Sequence, residues 1–379
     1  MKKSLFEMLG IADQERIHTQ VLAWLLSPTD SPLDNNQRST LIEKLFGINT
    51  TPDDAANIRV VTELKRLDLV VLHPNAFIAV ENKMKSRQGD SQLEAYSEEI
   101  KFLKTALGIS QSPEIKFFLT FSGEDAPEVD WKLIDYQYVL DALTAIDLPL
   151  GYATDYTSLL NTLLNCRNDF LKDHRKYREI FNRSGMDTFN RLTNPLPHST
   201  SLLEQFVCGN RLERIFIERL YREAIIKAGF PKAFVSESRG KALIDLTLFR
   251  LKIANSEHWF NAGFQLQGNT IKLNMAANQY EDSKSDWLPE KACVAFDEQF
   301  KNIKLFDGKV RANGSRSHAY RSWSRAIESG SQPQEITFDE FCEFLIEHIS
   351  DAISKWDAVL KYCHKLQIVT EFKSLPVGA

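Results

Sequence analysis

The chain has few of the features that mark secreted or membrane proteins. Its five cysteines are odd in number, scattered and never spaced as CxxC, so they predict reduced core thiols rather than a disulfide framework or a zinc site. The longest apolar run, Val21–Leu26, is far shorter than the roughly 20 residues of a membrane-spanning helix. Glu7 interrupts the apolar segment that a signal peptide requires. We therefore expect a cytoplasmic protein without a membrane partner.

Several common catalytic signatures are also missing. The sequence contains no GxxxxGK[ST] or GxGxxG, no HExxH and no GxSxG, which removes support for a P-loop, a dinucleotide site, a zinc protease site and a serine hydrolase. An excess of positive charge is absent as well, since the net charge is −5. A nucleic-acid partner therefore has to be argued from local features of the chain and not from its overall charge.

What remains is an ordinary globular composition, with 43% hydrophobic and 26% charged residues in a chain of 379. That length suits one large or two ordinary domains. Gly185, Pro195 and Pro197 lie in a turn-rich segment that resembles a linker. We predict a first domain at 1–175, a linker at 176–201, and a C-terminal α+β domain at 202–379 that binds substrate or a partner.

One stretch organises the first half of the chain. Two apolar segments, 66–72 and 77–83, are separated by a turn at Pro74 and Asn75, which predicts a pair of strands. Because side chains alternate along a strand, Glu81 and Lys83 project from the same face. If the two strands pair antiparallel, Asp68 lies beside Glu81. The sequence therefore predicts two carboxylates and an ammonium at the end of one hairpin.

Such a cluster suggests metal-assisted hydrolysis. Two neighbouring carboxylates repel each other, and a divalent cation relieves that repulsion. Mg²⁺ usually takes one or two carboxylates together with waters and substrate phosphates. A bound ion of this kind polarises a phosphoryl oxygen and activates a water. The ammonium of Lys83 would hold that water or stabilise charge developing on the phosphorus centre.

These residues resemble the D…(D/E)xK signature of the PD-(D/E)XK nuclease superfamily, with Asp68 as the first acid and Glu81-Asn82-Lys83 as the second motif. Leu67 stands where that family often has proline. Glu15, followed by the run Val21–Leu26, is similar to the acid-bearing first helix of one branch. Gln92 and Tyr96 resemble its QxxxY helix, and Trp131 to Tyr136 resembles a later strand. The resemblance covers roughly residues 1 to 170.

The resemblance implies an α/β fold of the restriction-endonuclease type, a mixed sheet flanked by helices. It further implies a DNA endonuclease of restriction or phage defence, with DNA preferred over RNA, and it leaves a homodimer or a protein partner open. In the implied site the metal, Mg²⁺ or Mn²⁺, is held by Asp68, Glu81 and the carbonyl of Asn82. Lys83 positions the water, Glu15 contacts a metal-bound water, Gln92 orients the site and Tyr96 buttresses it.

Simpler interpretations remain open beside each of these roles. Glu15 also fits a solvated first-turn acid favoured by the helix dipole, and Gln92 and Tyr96 fit the polar shoulder of a helix. Lys83 could be a structural bridge between the two acids. As a whole, the chain could be a catalytically silent or partner-dependent nuclease fold that acts as a nucleic-acid-binding or assembly module.

Two segments are candidates for contact with nucleic acid. Lys85 and Arg87 follow the second strand directly. The segment 309–325 contains several cations, no acid and interleaved aromatics, a pattern that suits phosphate neutralisation and base stacking. A solvated loop that packs one tryptophan is the alternative. The candidate residues of that segment are Arg311, Arg316, Arg321 and Trp323.

Overall fold

A computed structural model describes residues 4–84, 92–123, 130–254, 256, 259–277, 290–302, 311–312 and 320–376. The strands are β1 Arg59–Leu64, β2 Leu67–His73, β3 Ala76–Lys83, β4 Glu114–Thr120, β5 Trp131–Asp135, β6 Phe234–Ser238, β7 Lys241–Ile253, β8 Trp259–Gln267, β9 Thr270–Ala277, β10 Arg311–Ala312, β11 Tyr320–Ala326 and β12 Val369–Ser374. The helices are α1 Leu5–Met8, α2 Glu15–Leu26, α3 Asn35–Phe46, α4 Pro52–Ala56, α5 Gln92–Ala106, α6 Tyr136–Thr144, α7 Tyr152–Lys172, α8 Arg178–Arg183, α9 Thr188–Thr193, α10 Leu202–Gly209, α11 Glu213–Lys227, α12 Glu290–Asn302 and α13 Phe338–Lys365.

The chain divides into two compact units. One comprises Met1–Phe170 with Ser201–Phe216, and the other comprises Leu171–Thr200 with Ile217–Ala379. These limits differ from the expected domain limits, because 201–216 groups with the first unit and the expected linker 176–201 contains α8 and α9. A division of function at those limits stays a prediction. No helix among the described residues is long and apolar enough to cross a membrane.

The first unit is built on a five-stranded mixed sheet with the order β1-β2-β3-β4-β5. Strands β1, β2 and β3 pair antiparallel, whereas β3, β4 and β5 run parallel. Every residue of β3 is buried, as expected for the central strand of a sheet that carries helices on both faces. This arrangement confirms the predicted fold class, a mixed sheet flanked by helices like that of the restriction endonucleases.

Each face of this sheet is closed by an apolar layer. On one face, α5 packs Leu93 and Ile100 against Phe77 and Phe118 of the sheet. On the other face, α2, α3 and α6 enclose a small apolar space whose lining includes Leu22, Leu45, Val80 and Leu119. The helical spacing of the apolar residues in α5 therefore sets which of its side chains meet the sheet, and it leaves Gln92 at the first turn beside the end of β3.

The second unit contains a sheet with the order β10-β11-β9-β8-β7-β12, and β6 pairs with β7. Its core is aromatic: Trp323 of β11 and Trp356 of α13 have ring centroids 5.8 Å apart, and Phe296 and Phe300 of α12 contact both rings. The C-terminal region, which was predicted to be α+β, therefore contains an antiparallel sheet that packs against helices.

Candidate active site

Asp68 and Glu81 lie side by side because of the register of β2 and β3. Leu69 pairs with Val80 and Val70 with Ala79, so the same register continued by one step sets Asp68 opposite Glu81. Directly opposed residues of an antiparallel pair project from the same face. The backbone N–H of Asn82 donates to Asp68 Oδ2 at 2.7 Å, which ties the first acid to the strand that carries the second.

Glu81 is a buried carboxylate that lacks a complete set of partners. Its side chain is only 1% exposed, and Lys83 Nζ lies 2.5 Å from Oε1. Gln92 Nε2 donates to the same oxygen at 3.1 Å. The other oxygen, Oε2, is buried and has no hydrogen-bond partner among the described residues. A buried carboxylate oxygen in this state is unfavourable unless it binds a proton or a cation.

The electrostatics of the pair agree with that conclusion. Burial, followed by the negative charge of Asp68, raises the pKa of Glu81 to about 8, although Lys83 opposes the shift. Burial also raises the pKa of Asp68, against the hydrogen bond from Asn82 and the charge of Lys83. Burial is the largest single influence and lowers the pKa of Lys83, but the charge and hydrogen bond of Glu81, together with the charges of Asp68 and Glu15, outweigh it and the net shift is upward. The site thus holds one firmly protonated lysine and two acids that are difficult to ionise together.

Asn82 connects the site to α2. Its side chain points away from Glu81 and is buried, with Nδ2 donating to the carbonyl oxygen of Glu15 at 3.0 Å and to Thr19 Oγ1 at 3.1 Å. Its Oδ1 accepts a hydrogen bond of 2.7 Å from the Tyr136 hydroxyl. All the hydrogen-bonding atoms of this amide group are therefore engaged, and the amide fixes the start of α2 against the end of β3.

Glu15 is brought to the same end of the sheet by this contact. Its Oε1 accepts the backbone N–H of Met84 at 2.8 Å, and its negative charge contributes to the raised pKa of Asp68. His18, one turn further along α2, is completely buried and hydrogen-bonded to Tyr156 and to the carbonyl oxygen of Ala12. Burial lowers the pKa of His18 to about 4. The structure therefore brings Glu15 to this end of the sheet and makes His18 a packed, neutral histidine.

Gln92 and Tyr96 form one arm on α5. The amide nitrogen of Gln92 donates both to Glu81 Oε1 and, at 2.6 Å, to the Tyr96 hydroxyl oxygen. Tyr96 is buried in the apolar layer between α5 and the sheet. The packed tyrosine thus holds the glutamine, and the glutamine in turn restrains one oxygen of Glu81.

One known protein family matches the part of the chain that carries this site. Residues 4–182 match the model of a family in the PD-(D/E)XK nuclease superfamily. Over this segment the chain is similar to that superfamily. Searches of curated proteins and of solved structures found no match. The matched segment contains the whole five-stranded sheet and every residue of the site described above.

The oxygen atoms of this candidate site are suitable ligands for a divalent cation. The described residues contain no cluster of three or more His, Cys, Asp or Glu side chains that could hold a metal by themselves. Mg²⁺ does not require one, because it is commonly bound through one or two carboxylates and completed by waters and substrate phosphates. The unpartnered Oε2 of Glu81, the adjacent Asp68 carboxylate and the Asn82 carbonyl are oxygen donors of that kind.

Sequence reasoning missed two residues that position the candidate site. Thr19 and Tyr136 both hydrogen-bond the Asn82 side chain. The spacing of apolar residues in α2 could have placed Thr19 near the sheet, since it lies one turn after Glu15. Nothing local to Tyr136 indicates its partner, because Asn82 lies 54 positions earlier in the chain.

Two of the residues predicted to contact nucleic acid, Trp323 and Arg321, have other partners in the structure. Trp323 is completely buried and its indole N–H donates to Asp297, so the prediction that it stacks on bases is wrong. Arg321 forms an ion pair with the same Asp297 carboxylate, which leaves its side chain mostly covered. Lys85, Arg87 and Arg316 lie outside the described residues, and so does the side chain of Arg311.

Proposed function

We propose that the chain is a metal-dependent nuclease that hydrolyses phosphodiester bonds in DNA, in a restriction or phage-defence role. The observation that carries the proposal is the buried carboxylate oxygen of Glu81, which has no donor among the residues that the structure describes and lies beside a second acid and a protonated lysine. Acids with raised pKa values next to a specific charged partner are typical of functional sites. The choice of DNA rests on analogy with other members of the superfamily.

In this proposal Asp68, Glu81 and the Asn82 carbonyl hold Mg²⁺ or Mn²⁺. When bound, such an ion supplies Lewis-acid polarisation of a phosphoryl oxygen and lowers the pKa of a coordinated water. Glu15 accepts a hydrogen bond from a water at the site, and Gln92 keeps the Glu81 carboxylate in one orientation. These residues provide positioning, which can account for several kcal/mol of a reaction barrier.

The hydrogen-bond partner of Lys83 is expected to differ between the metal-free site and the metal-bound site. In the structure its ammonium is engaged by Glu81 Oε1. If a bound cation took up the charge of Glu81, the ammonium would be free to donate to the attacking water or to a non-bridging oxygen of the scissile phosphate. It would thereby stabilise the negative charge that develops as the water oxygen bonds to phosphorus and the leaving oxygen departs.

Cleavage of plasmid DNA with Mg²⁺ tests the proposal. Wild type should cut, and Asp68→Ala and Lys83→Ala should each lose about 10²-fold or more in rate, the usual scale for removing a group that stabilises the transition state. Glu98→Gln is the matched control, because Glu98 is 71% exposed on α5 and pairs only with Lys101 among the described residues. Equal cutting by all four proteins would remove Asp68 and Lys83 from the mechanism.

Calorimetric measurement of Mn²⁺ binding distinguishes an active nuclease from a catalytically silent or partner-dependent nuclease fold. A competent site should bind Mn²⁺ in wild type and lose that binding in Asp68→Ala. Binding without any cleavage would favour dependence on a partner, and absence of binding would indicate that Lys83 is a structural bridge. The bridge also predicts that Asp68→Ala destabilises the fold, whereas loss of a metal site relieves repulsion and leaves stability unchanged or improved.

A further inference from the structure

The hairpin that leads into Asp68 has an unusual turn. Leu64 of β1 pairs with Leu67 of β2, so Lys65 and Arg66 alone form the connection. Both have positive φ, 53° and 70°, and so does Glu63, two residues before Lys65, with φ 57°. Two-residue hairpin turns with two positive φ values strongly favour sequences such as Asn-Gly, because longer side chains are strained in that conformation.

The chain therefore keeps two long cations where neutral, conformationally tolerant residues would be more stable. Strained backbone of this kind persists where the surrounding structure imposes it, and it clusters at functional sites. Local sequence rules are also most often broken at such sites. The role of the two cations is indicated by their position and by the groups around them.

The turn lies at the edge of the nuclease site. Arg66 precedes Asp68 by two residues, which limits their Cα separation to about 7 Å. The side chains of Lys65 and Arg66 are both exposed. The ammonium of Lys65 sits 5.8 Å from the ring centroid of Phe102, an aromatic residue of α5 that is 61% exposed. A cation above an aromatic face is held by the ring quadrupole, so Lys65 is restrained at the tip and remains accessible.

The negative charge of the site explains why positive side chains are needed near it. Glu15, Asp68 and Glu81 converge at the end of β3, and the chain as a whole carries a net charge of −5. A polyanion approaching that edge is repelled unless positive groups neutralise its phosphates. Lys65 and Arg66 are positive groups in the turn that leads into the strand carrying Asp68.

We propose that Lys65 and Arg66 bind backbone phosphates of the nucleic-acid strand next to the scissile bond. The inference rests on the proposed nuclease function, and it assigns the β1–β2 turn as the place where the substrate backbone is gripped. Contacts of this kind fix the register of the substrate without reading its sequence.

The double variant Lys65→Asn with Arg66→Gly tests the proposal without weakening the fold, because Asn-Gly suits the turn that the backbone already adopts. We expect its melting temperature to rise and its affinity for a short DNA duplex, measured with Ca²⁺ in place of Mg²⁺, to fall roughly 10- to 60-fold at about 0.1 M salt. The slope of log K against log salt should become shallower by about 1.8, the value for two lost phosphate contacts on duplex DNA.

Two control proteins complete the experiment. Lys65→Arg with Arg66→Lys keeps both charges and should bind like wild type. Lys101→Gln with Lys361→Gln removes two exposed lysines that pair with acids elsewhere, and it should leave affinity and slope unchanged.

The results also separate this proposal from the proposed function. A stabilised Asn-Gly variant with wild-type affinity and slope overturns the phosphate grip even if the wild type cuts DNA. Wild type that binds DNA without cutting it overturns the proposed hydrolysis, while the affinity difference still decides the role of the turn. Wild type that does not bind DNA overturns both.

Discussion

At the scale of single residues, the central feature is a carboxylate that is almost completely buried. The sequence was sufficient to predict that Asp68 meets Glu81, because the Pro74-Asn75 turn and the two-residue period of a strand determine the register. It was not sufficient to predict that one oxygen of Glu81 has no donor within the described part of the chain. That depends on how α5 packs on the sheet, and on which oxygen Gln92 and Lys83 reach.

The buried carboxylate predicts a pH-dependent stability of the metal-free protein. The pKa of Glu81 rises from 4.5 to about 8 on folding, so the folded state binds a proton that the unfolded state has already lost. The resulting stabilisation is complete below the unfolded pKa, and it is lost as the pH rises to about 8. In EDTA, the melting temperature of wild type should therefore fall between about pH 5 and about pH 8 more than that of Glu81→Gln, by the equivalent of a few kcal/mol.

Excess Mg²⁺ should abolish that difference, because the ionised carboxylate then has a bound cation. Glu98→Gln serves as the control for loss of an exposed acid. Parallel pH profiles of wild type and Glu81→Gln in EDTA would show that Glu81 ionises normally in the folded protein.

At the scale of elements, the junction between α2 and β3 determines the site. The helix begins at Glu15, and its N-cap residue Gln14 makes no side-chain capping hydrogen bond. The Asn82 amide holds this helix end to the strand by bonding the carbonyl of Glu15 and the hydroxyl of Thr19. The strand was predicted from its pattern of apolar residues and the helix from the family resemblance, but their connection is a tertiary contact that no local pattern contains.

This junction predicts unequal effects of two similar substitutions. Tyr136→Phe removes the donor to Asn82 Oδ1, whereas Tyr156→Phe removes the hydroxyl that meets His18 Nδ1. Both tyrosines are completely buried, so each variant should lose about 1–3 kcal/mol of unfolding free energy. Only Tyr136→Phe should also lower the rate of DNA cleavage at saturating substrate and weaken Mn²⁺ binding.

We expect this difference because, in the proposed site, Asn82 supplies both a backbone carbonyl for the metal and the link to Glu15. Measurements of Mn²⁺ affinity by calorimetry and of unfolding by urea titration separate positioning from simple loss of stability. Equal effects of both substitutions on Mn²⁺ affinity would assign the Asn82 network to stability alone.

At the scale of the whole molecule, the mixed sheet of the first unit was predictable and the surface of the second unit was not. The segment 309–325 is rich in cations, but on β11 Trp323 pairs in register with Leu273 and faces the aromatic core. The partner of Arg321 is Asp297 on α12, 24 positions earlier. Counting charges within a short segment cannot detect an acid supplied by another element, and this explains why the predicted stacking role of Trp323 was wrong.

The overall charge leads to a last prediction, on how the chain meets nucleic acid. With a net charge of −5 and three acids converging at the end of β3, the metal-free site should repel a phosphate backbone. Replacing EDTA by Ca²⁺ at constant ionic strength should therefore raise the affinity for a short duplex roughly ten-fold or more, since each tenfold corresponds to only about 1.4 kcal/mol.

At a pH above about 8, where Glu81 is ionised in the metal-free protein, the double variant Asp68→Asn with Glu81→Gln removes both charges, so it should bind the duplex more tightly than wild type in EDTA and gain little from Ca²⁺. Addition of KCl to equal ionic strength controls for screening, which weakens binding instead of strengthening it. Wild-type affinity that is the same in EDTA and in Ca²⁺ would mean that the DNA backbone does not lie against these acids, because a phosphate held beside them must respond to the neutralisation of their charge.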